Sequence, residues 1–331
     1  MKKFIIFVII FCITVMSGCE SNSAMARSPS KEYEKGVIKI GTPDGNGRLS
    51  GIEIIAQSKG FLEEELEKLG YGIEVVGFAG AGPAVNEALA SGKIDFASYA
   101  DVPALILESR GLGTKLITVT DDQIHSSILV RKDSGIETFS DLKGKKIAFY
   151  KGTYSHRYLT YKLEQEGMED KDVQMIQMGK DSDAALIGNT VDAVVTTQLS
   201  GLRLLEKSKE IRMLDSSQND TDFRAVNVFT SLEKTMNEKP DAVEGILNAF
   251  ERAKEYAENH PEESYELMAE KALTTIEIQK ELHSFETKED MERYDLRVSD
   301  DELKELEKVK NFLLEYQLIE EDFEIKDWNR N

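Results

Sequence analysis

The chain has 331 residues, and 61 aspartates and glutamates against 41 lysines and arginines give it a formal charge of −20. This charge argues against nucleic acid as a partner, because phosphate binding needs a basic face. The only cysteines are Cys12 and Cys19. With Cys12 in a cleaved signal and Cys19 lipidated, disulfides, cysteine nucleophiles and thiolate zinc sites are excluded from the mature chain.

The first 20 residues, MKKFIIFVIIFCITVMSGCE, place two lysines before a short apolar run and small residues. This pattern is typical of a secretory signal, and the run is too short for an ordinary spanning helix. Residues 16–19 resemble a bacterial lipobox, with Met16 in place of the usual leucine. We therefore predict a lipoprotein signal peptide over 1–18, a palmitate-type lipid on Cys19 and a flexible tether over 19–35, which place the protein on the extracytoplasmic face of the cell membrane. A plain signal peptide is the alternative.

The next part of the chain alternates short apolar strands with helical stretches. Gly60 interrupts the first helical stretch, and Pro83 lies in the first turn of the second, a favoured position. This β-α rhythm predicts a largely parallel sheet with helices on both faces. The predicted strands are 36–42, 72–79, 94–100 and 115–120, and the predicted helices are 49–70, 82–93 and 102–111.

The rhythm then repeats, which predicts a second sheet. Its strands are 126–132, 146–152, 173–178, 191–197 and 211–215, with a short capped helix at 138–145 and further helices at 155–167 and 182–188. A strand at 223–231 follows, and the chain is almost wholly helical and amphipathic from Leu232 to its end.

The two repeats predict an inserted topology, in which the chain crosses twice between two lobes. Lobe 1 comprises 36–124 plus 226–331, and lobe 2 comprises 125–225. The crossing strands are 125–132 and 223–230. A hinge of two strands between α/β lobes suits closure around a ligand.

The candidate ligand residues follow the predicted strands, because open α/β sheets bind ligands at the carboxyl ends of their strands. In the first half they lie at 42–47, 80–82 and 99–101, and in the second half at 152–156 and 196–198. Several of these segments precede helices, whose free N–H groups favour an anion. Structural roles compete with ligand binding: Ser155 and Asp101 can cap the following helices, and Tyr99 can belong to the core.

Catalysis is not indicated. The sequence has no GxSxG, HExxH or GxxxxGK[ST] motif. Ser155 and His156 are adjacent at a helix start, where side chains diverge, whereas a nucleophile and its base need to be within hydrogen-bond reach. His260 and His283 fall in the helical tail, and we expect them at the surface. We predict a protein that binds rather than transforms its ligand, with no cofactor and no metal.

Several segments resemble the nitrate/sulfonate/taurine substrate-binding proteins of ABC importers. GAGPAVNEALASGKIDFASYADVPALI (80–106) is similar to the family's alanine-leucine helix, its G-x-I/V-D-F strand and its ligand loop. ILVRKDSGIETFSDLKGKKIAFYKGTYSHRYLTYKL (128–163) resembles the stretch that ends in a KG[ST]xxH turn. AALIGNTVDAVVTT (184–197) and KGFLEEELEKLG (59–70) resemble two further units, so the resemblance covers roughly residues 37–270.

The resemblance implies a type II periplasmic-binding-protein fold: two α/β lobes, a two-strand hinge and a helical C-terminal tail. It also implies a monomer that delivers a small ligand to a membrane permease with a cytoplasmic ATPase. The residues at 152–156 fall on the family's ligand turn, and those at 99–101 fall on its first-lobe loop. The predicted ligand-binding residues are Thr42, Asp44, Gly82, Tyr99, Asp101, Gly152, Thr153, Tyr154, Ser155, His156 and Thr197.

The ligand class that the resemblance implies is a sulfonate, taurine or nitrate. Asp44 and Asp101 near the expected cleft would oppose a simple anion but suit a zwitterion, whose ammonium an aspartate accepts. An alternative is a pyrimidine-type thiamin precursor stacked on Tyr99. Two hypotheses of other classes are a sensory ligand-binding module and an extracellular enzyme that uses Ser155, His156 and an aspartate.

Overall fold

The computed structural model of the protein describes residues 32–319 and 321–330. The predicted signal peptide, Cys19 and the tether up to residue 31 lie outside the described residues. Within the described residues, no helix combines the length and apolarity needed to cross a membrane.

The described strands form two five-stranded sheets. The first contains β1 (Val37–Thr42), β2 (Gly72–Gly77), β3 (Phe96–Ala100), β4 (Thr114–Asp121) and β10 (Asn227–Leu232), in the order β2-β1-β3-β10-β4. The second contains β5 (Ser126–Arg131), β6 (Lys146–Phe149), β7 (Gln174–Gln177), β8 (Ala193–Thr197) and β9 (Ile211–Ser216), in the order β7-β6-β8-β5-β9.

Each sheet is mixed rather than wholly parallel. In the first sheet β1, β2 and β3 pair in parallel, but β10 runs antiparallel to both β3 and β4. In the second sheet β6 pairs in parallel with β7 and β8, but β5 runs antiparallel to β8 and β9. The antiparallel strand in each sheet is the one that the chain enters directly after it leaves the other sheet.

Helices cover both faces of each sheet, and they are connected in the predicted β-α rhythm. The α-helices are α1 (Gly51–Ser58), α2 (Phe61–Lys68), α3 (Ala81–Ala90), α4 (Asp101–Glu108), α5 (Tyr154–Gln165), α6 (Ser182–Ile187), α7 (Gln198–Lys207), α8 (Glu233–Glu238), α9 (Pro240–Asn259), α10 (Pro261–Ala272), α11 (Ile276–Leu282), α12 (Lys288–Glu292), α13 (Asp300–Glu315) and α14 (Ile325–Trp328).

Two apolar cores enclose the first sheet. One packs α1, α2, α9 and α10 against one face, and the other packs α3, α4, α13 and α14 against the opposite face. The helical tail therefore completes both cores rather than forming a separate body. The predicted helix at 49–70 divides at Gly60, which adopts a positive φ of 75° and so ends one helix and starts the next.

The chain crosses between the sheets at 122–125 and again at 217–226. Ile124 N donates to Ala225 O at 2.9 Å, so the two crossings are hydrogen-bonded to each other. Arg224 reinforces this contact, because its guanidinium donates to the backbone carbonyl of Asp122 at 2.9 Å and to the Asp122 carboxylate at 2.7 Å. The strand predicted at 223–231 accordingly begins only at Asn227, since the residues before it form the crossing.

Candidate functional site

A cavity of about 370 Å³ lies between the two sheets. Its walls come from the end of β1, the N-terminus of α1, the crossing at 123–125, the start of α7 and the tail helices α10 and α11. This volume falls within the range of small-molecule pockets in proteins. Apolar side chains that include Leu49, Ile54, Leu199, Met268 and Leu282 lie between the polar ones, so the cavity suits a ligand with both polar and apolar parts.

Three arginines line this cavity, and two of them are paired with aspartates. Arg48 binds Asp44 with nitrogen-oxygen distances of 2.8 and 3.2 Å. Arg293 binds Asp121 at 2.6 and 2.9 Å. Each pair is close to neutral overall, so neither aspartate presents an uncompensated charge to a ligand.

Arg203 is the arginine of the lining that lacks a carboxylate. Among the described residues no aspartate or glutamate oxygen lies within 4.0 Å of its guanidinium, which instead donates to the carbonyl of Ala272 at the end of α10. Burial and the neighbouring Arg48 lower the pKa of Arg203, but an arginine remains charged at neutral pH. Arg203 therefore gives the cavity a local positive charge.

The N-terminus of α1 adds to this positive character. Ser50 and Gly51 line the cavity, and no side chain caps the helix at Ser50. The first N–H groups of a helix lack intrahelical partners and carry partial positive charge. This end of α1 therefore supplements the arginines in attracting an anion.

Two histidines line the cavity in their neutral form. Burial lowers the pKa of His125 to about 4 and that of His283 to about 3, with Arg293 acting in the same direction. His283 Nδ1 lies 3.0 Å from the hydroxyl of Tyr294. The expectation that His283 lies at the surface is wrong, because the segment after α11 folds back over the cavity.

Four of the predicted ligand-binding residues line the cavity: Thr42, Asp44, Tyr154 and Thr197. The other seven, which are Gly82, Tyr99, Asp101, Gly152, Thr153, Ser155 and His156, lie outside its lining.

The predicted residues Gly82, Tyr99 and Asp101, which lie outside the lining, have structural roles. The Tyr99 ring is buried in a core, with its hydroxyl 3.4 Å from that of Thr230. Asp101 is fully buried and accepts from the backbone N–H groups of Val102 at 2.6 Å and Val226 at 3.1 Å. Gly82 packs so closely on Pro103 that an added Cβ would lie 2.4 Å from Pro103 Cγ.

The turn at 152–156 forms the start of α5. Thr153 caps this helix by accepting from His156 N at 3.3 Å, so Ser155 is not the cap. The Ser155 hydroxyl lies 3.0 Å from the Ser126 hydroxyl. Gly152 supplies the positive φ of 75° that the turn needs.

His156 packs against Phe149 at a ring separation of 4.8 Å, and its Nδ1 is buried without a partner among the described residues. Burial lowers the pKa of His156 to about 4. Among the described residues the Ser155 hydroxyl bonds to Ser126 and makes no hydrogen bond with the His156 ring. The turn therefore holds no Ser-His pair of the kind that the enzyme hypothesis requires.

Sequence reasoning missed Arg203, Arg293 and Asn227 as lining residues. Arg203 lies on α7, a helix that the sequence analysis did not predict. Arg293 reaches the cavity from the tail, 172 residues away from its partner Asp121. Asn227 is the first residue of β10 and could have been considered, because it lies within a strand that was predicted to cross between the lobes.

A cleft between two α/β lobes, joined by two crossings and lined by charged and apolar groups, defines a two-lobed ligand-binding protein with the periplasmic-binding-protein fold. The chain belongs to the NMT1/THI5-like family, whose profile matches residues 50–264.

Three known proteins illustrate the similarity. The chain is 29% identical over 332 residues to the "Putative aliphatic sulfonates-binding protein" of Bacillus subtilis (strain 168), covering 99% of this chain and 94% of that protein. It is 26% identical over 227 residues to the 4-amino-5-hydroxymethyl-2-methylpyrimidine phosphate synthase of Aspergillus parasiticus, covering 64% of each. The fold matches the alkanesulfonate-binding protein SsuA of Xanthomonas axonopodis pv. citri bound to MOPS, with a TM-score of 0.72 at 20% identity and coverage of 88% and 97%.

Proposed function

We propose that the chain is an extracytoplasmic receptor that captures an organic sulfonate in the cleft and delivers it to an ABC importer permease. In this proposal lobe 1 (36–124 plus 226–331) and lobe 2 (125–225) are the two bodies that hold the ligand. The relative matched along nearly the whole chain is named as a sulfonate-binding protein, and the matched solved structure contains a sulfonate. The protein acts as a monomer and does not transform its ligand.

The observation that carries the proposal is the unpaired Arg203 in a cavity whose aspartates are both paired. A guanidinium presents several donors in a plane, which suits the oxygens of a sulfonate. Hydrogen bonds to charged groups contribute about 1.5–3 kcal/mol each, and micromolar affinity requires about 8 kcal/mol. Arg203, the α1 N-terminus and the apolar lining together can reach this value.

The carboxylates of the cleft have a different role from the one expected from sequence. Asp44 neutralises Arg48 and Asp101 lies outside the lining, so neither offers a free carboxylate to a ligand ammonium. We propose that Asp44 positions Arg48 instead. Arg48 also donates to the carbonyl of Lys271 at 2.7 Å, which holds its guanidinium beside the end of α10.

The membrane anchor belongs to the same proposal. A lipid on Cys19 and the tether over 19–35 would keep the receptor beside its permease, with each buried CH₂ of the lipid contributing about 0.8 kcal/mol. Mass spectrometry of the protein from membranes tests this part: the expected peptide begins at a lipid-bearing Cys19. Recovery of an unmodified Cys19 would contradict it.

The test of the ligand class is a thermal-shift measurement on the full-length protein purified in detergent. A ligand at 100 times its Kd stabilises the folded state by about 2.7 kcal/mol. We expect alkyl sulfonates to raise the melting temperature, whereas nitrate and 4-amino-5-hydroxymethyl-2-methylpyrimidine do not. Stabilisation by the pyrimidine alone would favour the thiamin-precursor hypothesis instead.

A matched pair of variants tests the role of Arg203. Arg203→Gln should weaken sulfonate binding roughly 10- to 100-fold, which is the loss of one hydrogen bond to a charged group. Arg297→Gln is the control, because the side chain of Arg297 is 90% exposed and lies outside the cavity lining. Equal affinities of Arg203→Gln and Arg297→Gln would contradict the proposal.

A further inference from the structure

A buried carboxylate contacts Ser98, one of the polar residues that line the cleft. Glu53, in the first turn of α1, is fully buried, and the hydroxyl of Ser98 donates to its Oε2. Ser98 and Asn227 line the cavity, whereas Glu53 is not part of the lining. Burial raises the pKa of Glu53 to about 7, while hydrogen bonds from Ser98 and Thr120 act in the opposite direction.

The ionised form of Glu53 sets the direction of the next hydrogen bonds. A serine hydroxyl has one proton, and Ser98 donates it to Glu53. The Ser98 oxygen is then only an acceptor toward Asn227, whose Nδ2 lies 3.2 Å away. The same Nδ2 donates its second hydrogen to Thr120 Oγ1 at 2.9 Å.

This network fixes which end of the Asn227 amide faces the ligand. Both hydrogens of Nδ2 are used within the protein, and Oδ1 accepts from none of the described residues. Because Asn227 lines the cavity, Oδ1 is the atom of this side chain that a ligand can reach. An amide oxygen accepts hydrogen bonds and repels the oxygens of a sulfonate.

We infer that Asn227 is a specificity-determining residue, and that the ligand bears an N–H or O–H donor in addition to its anionic group. The inference rests on the proposed function, because Arg203 is taken to receive the anion. Glu53, Ser98 and Thr120 act through Asn227 as positioning residues. A sulfonate that carries a donor thus binds the guanidinium of Arg203 through its anionic group and donates a hydrogen bond to Asn227 Oδ1.

The main comparison of the test is between two sulfonates that carry an oxygen at the same position. In one this oxygen belongs to a hydroxyl group, which can donate, and in the other to a methyl ether, which cannot. Calorimetric titration of the full-length protein in detergent at pH 8, where Glu53 is ionised, gives Kd for 2-hydroxyethanesulfonate and 2-methoxyethanesulfonate. We expect the hydroxyl compound to bind at least tenfold more tightly, because a site built around a polar contact rejects an analogue that leaves it unpaired. Propane-1-sulfonate, which has the size of the hydroxyl compound but no donor, should bind as weakly as the methoxy compound.

Variants of Asn227 separate specificity from folding. Asn227→Leu should bring the affinity ratio of the hydroxyl and methoxy compounds close to one, whereas Asn227→Asp, which keeps an acceptor, should preserve the preference for the donor. A merely structural residue would change both affinities together and leave their ratio intact.

Three outcomes would overturn the inference. They are equal binding of the three sulfonates by the unmodified protein, a preference for the methoxy compound, and an Asn227→Leu ratio equal to that of the unmodified protein. Each of them leaves sulfonate binding itself established. If none of the three sulfonates binds, the proposed function fails and the inference fails with it.

Discussion

Removal of the Arg157 guanidinium should be among the most destabilising single changes in the chain. Arg157 on α5 donates to Glu305 on α13 at 2.9 Å and to the backbone carbonyl of Arg224 at 2.8 Å, and it lies 3.8 Å from Asp101. Asp101, Glu305 and Arg157 are 0, 4 and 7% exposed. The variant Arg157→Met keeps much of the side-chain volume but leaves Asp101 buried without its cation, and leaves Glu305 with only the exposed Lys308, 2.9 Å away.

The expected cost follows from this burial. Breaking one partner out of a buried ion pair costs about 3–5 kcal/mol, because the remaining charge is uncompensated. Burial already raises the pKa of Asp101 to about 6, and Arg157 opposes that rise. Without Arg157 the pKa of Asp101 rises further, so Asp101 takes up a proton more readily. The cost should therefore be larger at pH 8, where Asp101 is ionised in the unmodified protein, than at pH 5, where it is protonated in both proteins.

Urea unfolding followed by the fluorescence of Trp328, the only tryptophan of the chain, measures this difference. Arg297→Met is the control, because the side chain of Arg297 is 90% exposed and surface ion pairs of this kind contribute little to stability. Two results would refute the reasoning: a loss below about 1 kcal/mol for Arg157→Met at pH 8, or a loss of the same size at both pH values.

Three further predictions concern buried positions. Gly82→Ala should cost about 1–3 kcal/mol in urea unfolding, because the new Cβ meets Pro103; an unchanged midpoint would show that α4 can move away. Glu53→Gln should raise the free energy of unfolding by roughly 3 kcal/mol over the unmodified protein at pH 8 and by little at pH 4. The folded-state pKa of Glu53 is raised from 4.5 to about 7, so the unmodified protein loses stability as the pH rises through that window. Parallel pH-stability curves of the two proteins would contradict this. His156→Phe should remove up to about 3 kcal/mol of the stability that the protein gains between pH 4 and 6.5. The folded-state pKa of His156 is lowered from 6.5 to about 4, so the unfolded state binds the proton first as the pH falls. A variant with an unchanged pH profile, or one that has lost sulfonate binding, would argue against a packing role.

The positions of most strands and helices could be predicted because their signals are local, whereas the strand order, with β10 between β3 and β4, could not. Apolar runs of five to eight residues bounded by glycine or charged residues indicate strands in either sheet. By contrast, α7 was missed because QLSGLRLLEK starts without a break from β8 and contains Ser200 and Gly201, which are weak helix formers. The cap that starts it is Thr197, whose hydroxyl accepts from Ser200 N at 3.2 Å.

The polar lining of the cleft was harder to predict because its contacts join distant parts of the chain. Hydroxyl- and glycine-rich segments after strands identified Thr42 and Thr197, but the same rule also selected Tyr99 and Asp101, whose side chains turn away into the protein. Which way a side chain points after a strand depends on the helix that packs there. The guanidinium of Arg293 reaches the lining only because the tail returns over the first sheet.

The insertion of one sheet within the other has a consequence for the order of folding. All five strands of the second sheet lie between Ser126 and Ser216, so its contacts are local in sequence. The first sheet needs β10 between β3 and β4, more than 100 residues after β4 begins. Because closing long loops is slow, we expect the second sheet to form first, while β3 and β4 wait for β10. During that interval the edges of β3 and β4 that later pair with β10 are open to pairing with other chains.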